Sequence, residues 1–469
     1  MKSVETLIIG AGPTGLGAGT RLHQNGKKSW MIVEGENEPG GLSSTHVTKE
    51  GFSIDRGGHV IFSFFKYYDD LLQTAVGPYD DEEHWATHVR KSHVIMEEDS
   101  ILYKVPYPYQ HNIGGLSEKT KHKCIDGIVN RDQSKKPNSF KEWILYNFGP
   151  GIAESFLFPY NFKIWAHDLS TMSKGWVANR VAKVNPYNVV KNAMNYTPFE
   201  KWGPNNVFRF PQRGGTGSIY KKIAGLLPKE NQMYGSKVVG IHPKDKVATL
   251  DNGTKIKYDN LVSTIPLDIL MEMVGMEPDR SKLRHSSTHV VGFGFEGENP
   301  NRETCWCYFP NEDVPFYRAT VFSNYGKYNV PDQSKNFSLM LEIAESEFKP
   351  VDSSTLVEEC LDACHRMGLT TKDSKVVSTF YEKFEYGYPT PTIGLEEYCT
   401  SVHKELRKMD IYSRGRFGAY LYQVANQDHS VMQGVQVIDN IAIGAPETVL
   451  NCPDYINSMY NTDYKYTDE

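Results

Sequence analysis

The first apolar run of the chain, Val4-Glu-Thr-Leu-Ile-Ile9, stops at Gly10-Ala-Gly12-Pro-Thr-Gly15, after which apolar positions recur with helical spacing at Leu16, Ala18 and Leu22. A second short run, Trp30-Met-Ile-Val33, ends on an acid, Glu34. Strand, glycine turn, helix, strand and acid is the order of a dinucleotide-binding βαβ unit. There the first glycine turns the chain, the second lets backbone amides approach a pyrophosphate, the third lets the helix lie on its strand, and the acid holds a ribose diol. The competing reading is a glycine turn in a ligand-free βαβ unit.

Farther along, Val238–His242 and Lys246–Leu250 read as strands, Asp251-Asn-Gly253 as a hairpin turn, and Lys255–Tyr258 and Leu261–Pro266 as two further strands. A meander followed by a strand that rejoins a parallel sheet makes the nucleotide domain discontinuous. Ser139-Phe-Lys-Glu142 has capping-box spacing and opens a helix with Phe140, Trp143, Ile144 and Phe148 apolar, ending at Gly149. Ile152–Phe158 reads as a second helix. Alternation at Val290, Gly292 and Gly294 and at Ser338, Met340 and Glu342 predicts an antiparallel sheet. Val431, Val435, Ile438 and Ala442 follow helical spacing, with Asn426–Asp428 placed to cap that helix and offer its positive end to an anion or an electron-rich ring.

Composition narrows the class. The chain has 469 residues, 39% hydrophobic and 23% charged, with a net charge of −6. That is an ordinary globular balance without a nucleic-acid footprint. No apolar run reaches the ~20 residues a spanning helix needs, so an integral membrane segment is not expected. A charged and apolar leader is absent near Met1, and a cytoplasmic protein is expected. The seven cysteines are scattered without a CxxC pair, so reduced thiols and no metal site are expected.

Longer segments are more specific. They are Asp55-Arg-Gly-Gly-His59-Val-Ile-Phe62-Ser, Val105-Pro-Tyr107-Pro-Tyr109-Gln110, Pro159-Tyr-Asn161-Phe-Lys-Ile-Trp165 and Phe208-Arg-Phe-Pro-Gln-Arg-Gly-Gly215-Thr-Gly217. With Pro315-Phe-Tyr-Arg318-Ala-Thr, Gly387-Tyr388-Pro-Thr-Pro-Thr, Arg414-Gly-Arg416-Phe-Gly and Asn426-Gln-Asp-His429 they run in order along the chain. Together they resemble the eukaryotic-type UDP-galactopyranose mutases, and the resemblance spans nearly all of residues 1 to 455. It implies an α/β fold: a discontinuous Rossmann-type FAD-binding domain (1–82, 206–265 and 411–469), an inserted helical domain with mobile segments (112–205), and an antiparallel β-sheet substrate domain (83–111 and 266–410). It also implies an FAD-dependent mutase that interconverts UDP-galactopyranose and UDP-galactofuranose without net redox change, with reduced flavin N5 as nucleophile on the anomeric carbon. NADPH is the implied reductant. The alternatives are a mutase for another nucleotide sugar and an FAD-dependent oxidase of the same superfamily.

The resemblance assigns site residues. Gly10, Gly12, Gly15, Glu34, Gly41, Gly58, His59, Arg416, Asn426, Gln427 and Asp428 match cofactor-binding positions. A pyrophosphate that leaves and returns needs permanently charged, bidentate donors; Arg180 and Arg318 match such arginines, and with His59 they form the expected catalytic set. Tyr308, Tyr325, Tyr388 and Tyr422 match tyrosines around the same phosphates. Tyr107, Gln110 and Phe156 match uridine contacts, Asn161 and Trp165 lie on a segment expected to close over substrate, and Arg90 and Asn205 match contacts near the sugar. Two positions depart from the family pattern: Phe64 stands where a histidine is expected and Phe158 where a basic residue is expected.

Overall fold

The computed structural model describes residues 1–177, 180–200, 202–203 and 205–459. The expected segments 112–205 and 411–469 therefore run onto residues 178, 179, 201, 204 and 460–469, which lie outside the described residues.

The Lys2–Ile9 strand sits inside a seven-stranded sheet, parallel to Trp30–Val33 on one side and to Lys255–Ser263 on the other. Gln232–Met233 and Ile411–Ser413 extend the parallel set at its two flanks. Strands buried on both faces read as unbroken apolar runs. Ile8, Ile32 and Val262 share a core with the helices Pro13–Gln24 and Gln427–Ile443, whereas Leu7, Ile9, Met31, Val33 and Leu261 share another with Leu267–Met273 and Leu395–Arg407. These last two helices fall inside the segment 266–410 expected in the β-sheet domain. They pack on the nucleotide sheet instead, because stripes such as Leu395, Cys399, Val402 and Leu406 cover the sheet's second face.

Val238–His242 and Val247–Leu250 add the expected antiparallel meander. The two strands expected over 255–258 and 261–266 are one, Lys255–Ser263. Its pairing with Lys2–Ile9 runs through from Ile256 to Ser263, while its other neighbour changes from Val247–Thr249 to Ile411–Ser413. The polar residues Asp259 and Asn260 mark that change of partner, not a break.

A second seven-stranded sheet has the order Lys375–Pro389, His285–Glu296, Asn336–Glu345, Arg318–Thr320, Trp306–Tyr308, Ser92–Glu98, Ile101–Pro106. It departs from the antiparallel expectation at one place, where Trp306–Tyr308 runs parallel to Ser92–Val94. Trp85–Val89 joins neither large sheet; it forms a ribbon with Val207–Pro211.

The helices Glu118–Val129, Phe140–Ile152, Phe158–Trp165 and Pro186–Met194 share a core with Val94, Met96, Val105 and Ala344 of the second sheet. Ser139 Oγ accepts from Glu142 N at 3.2 Å, and the Glu142 carboxylate accepts from Asn138 N at 2.6 Å, so the local capping signal is used. Gly149, with a non-helical backbone at φ +71°, ends the first helical stretch as expected, and the run Phe140–Ile152 resumes beyond it across a kink. The expected helix 152–158 is a π-helical turn, Ala153–Leu157, continuing directly into Phe158–Trp165. No helix among the described residues is long and apolar enough to cross a membrane.

Candidate active site

A cavity of about 650 Å³ opens where the carboxyl ends of the parallel strands meet the large antiparallel sheet and the helical segment. Open α/β sheets bind ligands at such strand ends. Gly10 has φ +100°, and a side chain on Gly15 would place its Cβ 1.9 Å from the Gly10 carbonyl oxygen. Turn and helix start are therefore in direct contact, which only glycine permits. Over Gly12 nothing lies nearer than 3.9 Å to such a Cβ, and the approach from the cavity stays open. Glu34 is held by the turn it serves: one carboxylate oxygen accepts from Ala11 N at 2.6 Å and the other from Glu36 N at 2.9 Å.

The Gln427–Ile443 helix starts at the same cavity. Asn426 occupies its N-cap position but its side chain makes no capping bond, contrary to the expected cap; Asn426, Gln427 and Ser430 line the wall instead. Asp428 turns away, buried, accepting from Phe64 N at 3.0 Å, and burial pushes its carboxyl up to about 6. An open glycine turn, an adjacent carboxylate and a helix's positive end fit an ADP-containing flavin nucleotide. Gly41, Gly58 and His59 line the cavity too. His59 Nδ1 is buried without a partner, and burial, reinforced by Arg416 and Arg318, holds the imidazole down to about 4, so it is neutral at pH 7.

Across the cavity the large sheet presents one face. Neighbouring strands bring Tyr308, Arg318 and Glu342 into one row. Glu342 grips Arg318 bidentately, at 2.5 Å to Nε and 2.7 Å to Nη2, and takes a third hydrogen bond from the Tyr317 hydroxyl at 3.1 Å. Burial opposes the charge on Arg318, but Glu342 outweighs it and raises the guanidinium well above the ordinary arginine value. Arg180 and Arg416 are held differently. Arg180 Nη2 donates to the Gln423 carbonyl at 2.7 Å, and Arg416 donates to the carbonyls of Gly387 and Ala425 at 3.2 and 3.3 Å. Tyr422 lies under both guanidinium groups, at 5.3 and 6.0 Å, and Tyr388 lies 4.6 Å from Arg416. Aromatic faces stabilise a cation without neutralising it. The wall thus carries concentrated positive charge for an anion.

Arg90, 3% exposed, ties down the segment beside the cavity mouth. It donates to Asn205 Oδ1 at 2.7 Å and to the Trp202 carbonyl at 2.5 Å, and stacks 5.6 Å from the Tyr107 ring.

The chain matches the flavin containing amine oxidoreductase family over residues 13–398. A reduced UDP-galactopyranose mutase of known crystal structure is 43% identical, aligned over 97% of this chain and 98% of that one with a TM-score of 0.91. This chain belongs to the UDP-galactopyranose mutase family. Putrescine oxidase bound to putrescine (15% identity, 94% of this chain and 99% of that one, TM-score 0.63) and a fatty acid isomerase from P. acnes that produces CLA (15%, 94% and 99%, TM-score 0.61) share the fold.

Measured against the positions that the mutase family marks, the structure brings most of the expected residues to one cavity but sets several off its wall. Gln110 is buried and donates to the Ala182 carbonyl at 2.7 Å. Phe156 is stacked between Tyr109 and Tyr160, and Asn161 bonds back to the carbonyl of Leu157, the last residue of the preceding π-helical turn. Trp165 packs edge-on to Trp176 and Tyr422. Tyr325 lies among Phe208, Phe210 and Phe322. Gly15 and Asp428 act from behind the wall. Sequence reasoning missed Glu342, although a carboxylate inside the apolar run Leu339–Ile343 is itself a signal of a buried ion pair. It also missed Arg56, Trp202, Thr264 and Asn457, all on the wall. Phe64 stacks on the buried His429 ring at 5.6 Å, so an aromatic surface occupies the position expected to carry a polar group.

Proposed function

We propose that this protein interconverts UDP-galactopyranose and UDP-galactofuranose with no net redox change. One observation carries the reading: a single cavity joins the glycine turn and Glu34 at one end to Arg180, Arg318, Arg416 and their tyrosines at the other. When bound and reduced, FAD supplies N5 as the nucleophile toward the anomeric carbon. The chain's own residues bind, orient and neutralise. Gly10, Gly12, Gly41 and Glu34 anchor the ADP end, and the start of the Gln427–Ile443 helix faces the flavin ring with its positive end, favouring the anionic reduced form. Arg180 and Arg318 hold the pyrophosphate while it is detached from the sugar, and Tyr308, Tyr388 and Tyr422 offer hydroxyl donors around it. Neutral His59 borders the ring as a hydrogen-bonding group, not a cation. Arg90 keeps Asn205 and Trp202 over the sugar, and Tyr107 offers its face to uracil. NADPH is the reductant in this reading, and the cytoplasm the compartment.

Anaerobic incubation of the reduced protein with UDP-galactofuranose, followed by chromatography, tests this. UDP-galactopyranose is the expected product. Absence of conversion together with substrate-dependent oxygen uptake would overturn the reading in favour of an oxidase, and conversion of another nucleotide sugar alone would replace the substrate. Bleaching of the flavin by NADPH tests the reductant separately.

A further inference from the structure

The short helix Pro453–Ser458 carries no recognisable motif, yet its Asn457 reaches the cavity wall beside Arg180. The residue is 6% exposed. Its Oδ1 accepts from Arg180 Nη1 at 3.3 Å, and its Nδ2 donates to the carbonyls of Pro453 at 2.8 Å and Gln423 at 2.9 Å. The Gln423 carbonyl also accepts from Arg180 Nη2 at 2.7 Å. Arg180, Asn457 and Gln423 thereby close a ring of hydrogen bonds. Gln423 is anchored in turn by its side-chain amide, which donates to Glu396 at 2.8 Å.

A guanidinium that must meet a pyrophosphate needs its plane fixed and its charge kept. A carboxylate partner fixes the plane but offsets part of the charge, as Glu342 does for Arg318; a side chain without an acceptor would leave the arginine free to turn. A neutral amide satisfies both demands. We infer that Asn457 is a positioning residue for pyrophosphate recognition, presenting Arg180 to the diphosphate of the substrate. This rests on the reading above, in which Arg180 binds that diphosphate.

The test compares binding of UDP and of uridine to the FAD-loaded wild type and to Asn457→Ala, Asn457→Asp and Arg180→Ala. Asn457→Ala should weaken UDP about tenfold, on the scale of one charge-assisted hydrogen bond. Asn457→Asp should weaken it further, since a carboxylate then shares the arginine. Uridine affinity and FAD content should stay within about twofold of the wild type. Should the alanine variant fail to fold, the near-isosteric Asp variant decides alone. Unchanged UDP affinity in the Asn457 variants, or equal losses for UDP and uridine, overturns the inference while Arg180→Ala still abolishes UDP binding. If Arg180→Ala binds UDP like the wild type, the underlying role of Arg180 fails, and the inference with it.

Discussion

The two ends of the cavity are built by different means. At the nucleotide end, contacts come from backbone: a glycine turn locked against its own helix, the end of a second strand, and the start of the Gln427–Ile443 helix. At the opposite end, contacts come from long side chains delivered by separate parts of the chain: Arg180, Arg318 on the large sheet, Arg416 after the last parallel strand, and tyrosines between them. A backbone site is as rigid as the sheet that makes it, and a side chain too many destroys it. A side-chain site depends on partners such as Glu342, Gln423 and Asn457, and its failure changes affinity before it changes the fold. One is broken by sterics, the other by charge.

The largest effect should follow from breaking the backbone end. Gly15→Val drives a branched side chain into the Gly10 carbonyl, already 1.9 Å from a bare Cβ, and the purified protein should contain essentially no flavin by visible absorbance. Next is the charged end. Arg318→Ala should keep FAD yet lose UDP affinity by roughly two orders of magnitude, as truncating one member of a buried charge pair does. It also strands Glu342, 2% exposed, at a stability cost of about 3–5 kcal/mol. Adding Glu342→Gln should restore much of the thermal stability and none of the UDP affinity. Recovery of both would deny Arg318 its role at the phosphate.

Buried histidines and buried acids respond to pH in opposite senses. Burial holds His59 down to about 4 and both His403 and His429 down to about 3. Their neutral forms stabilise the fold fully above about 6.5, the ordinary histidine value, and that contribution is lost as pH falls toward 4, because the unfolded chain takes up protons first. Asp55 and Asp428, pushed up by burial to about 7 and about 6, act in the opposite sense: their contribution is present at low pH and lost as pH rises through those values. The three histidines outweigh the two acids, so melting temperature should drop between pH 6.5 and 4. His429→Phe should shallow that drop. The smallest effect lies outside the cavity. Ser139→Ala removes a helix cap and should cost about 1 kcal/mol in denaturant titration, with KM unchanged.

Much of the nucleotide end was legible because its determinants are local. The spacing of Gly10, Gly12 and Gly15 acts within a few residues, where covalent geometry and backbone sterics dominate, and Glu34 is brought to the turn at Ala11 by the neighbouring parallel strand; the cap at Ser139, outside that end, is legible for the same local reason. The meander over 238–263 was legible for the same reason, save that its last two strands are one. The charged end was legible only through whole motifs resembling a family, and placement inside those motifs was uneven. Gln110, Phe156, Asn161, Trp165 and Tyr325 sit behind the wall, held by packing or by backbone carbonyls, with Gln110 Oε1 and Trp165 Nε1 buried without a partner, since burial is set by neighbours far away in the chain.

The amino-acid sequence by itself determined the strand–turn–helix that cradles a dinucleotide and, through ordered motifs, the family. Tertiary structure alone decided that Glu342 holds Arg318, that Asn457 and Gln423 hold Arg180, and that the helices Leu267–Met273 and Leu395–Arg407 serve the nucleotide sheet. The reason is physical. Backbone conformation is governed by adjacent residues, whereas the pairing of a charge or the covering of an apolar face is settled by whichever distant segment the folded chain brings within reach.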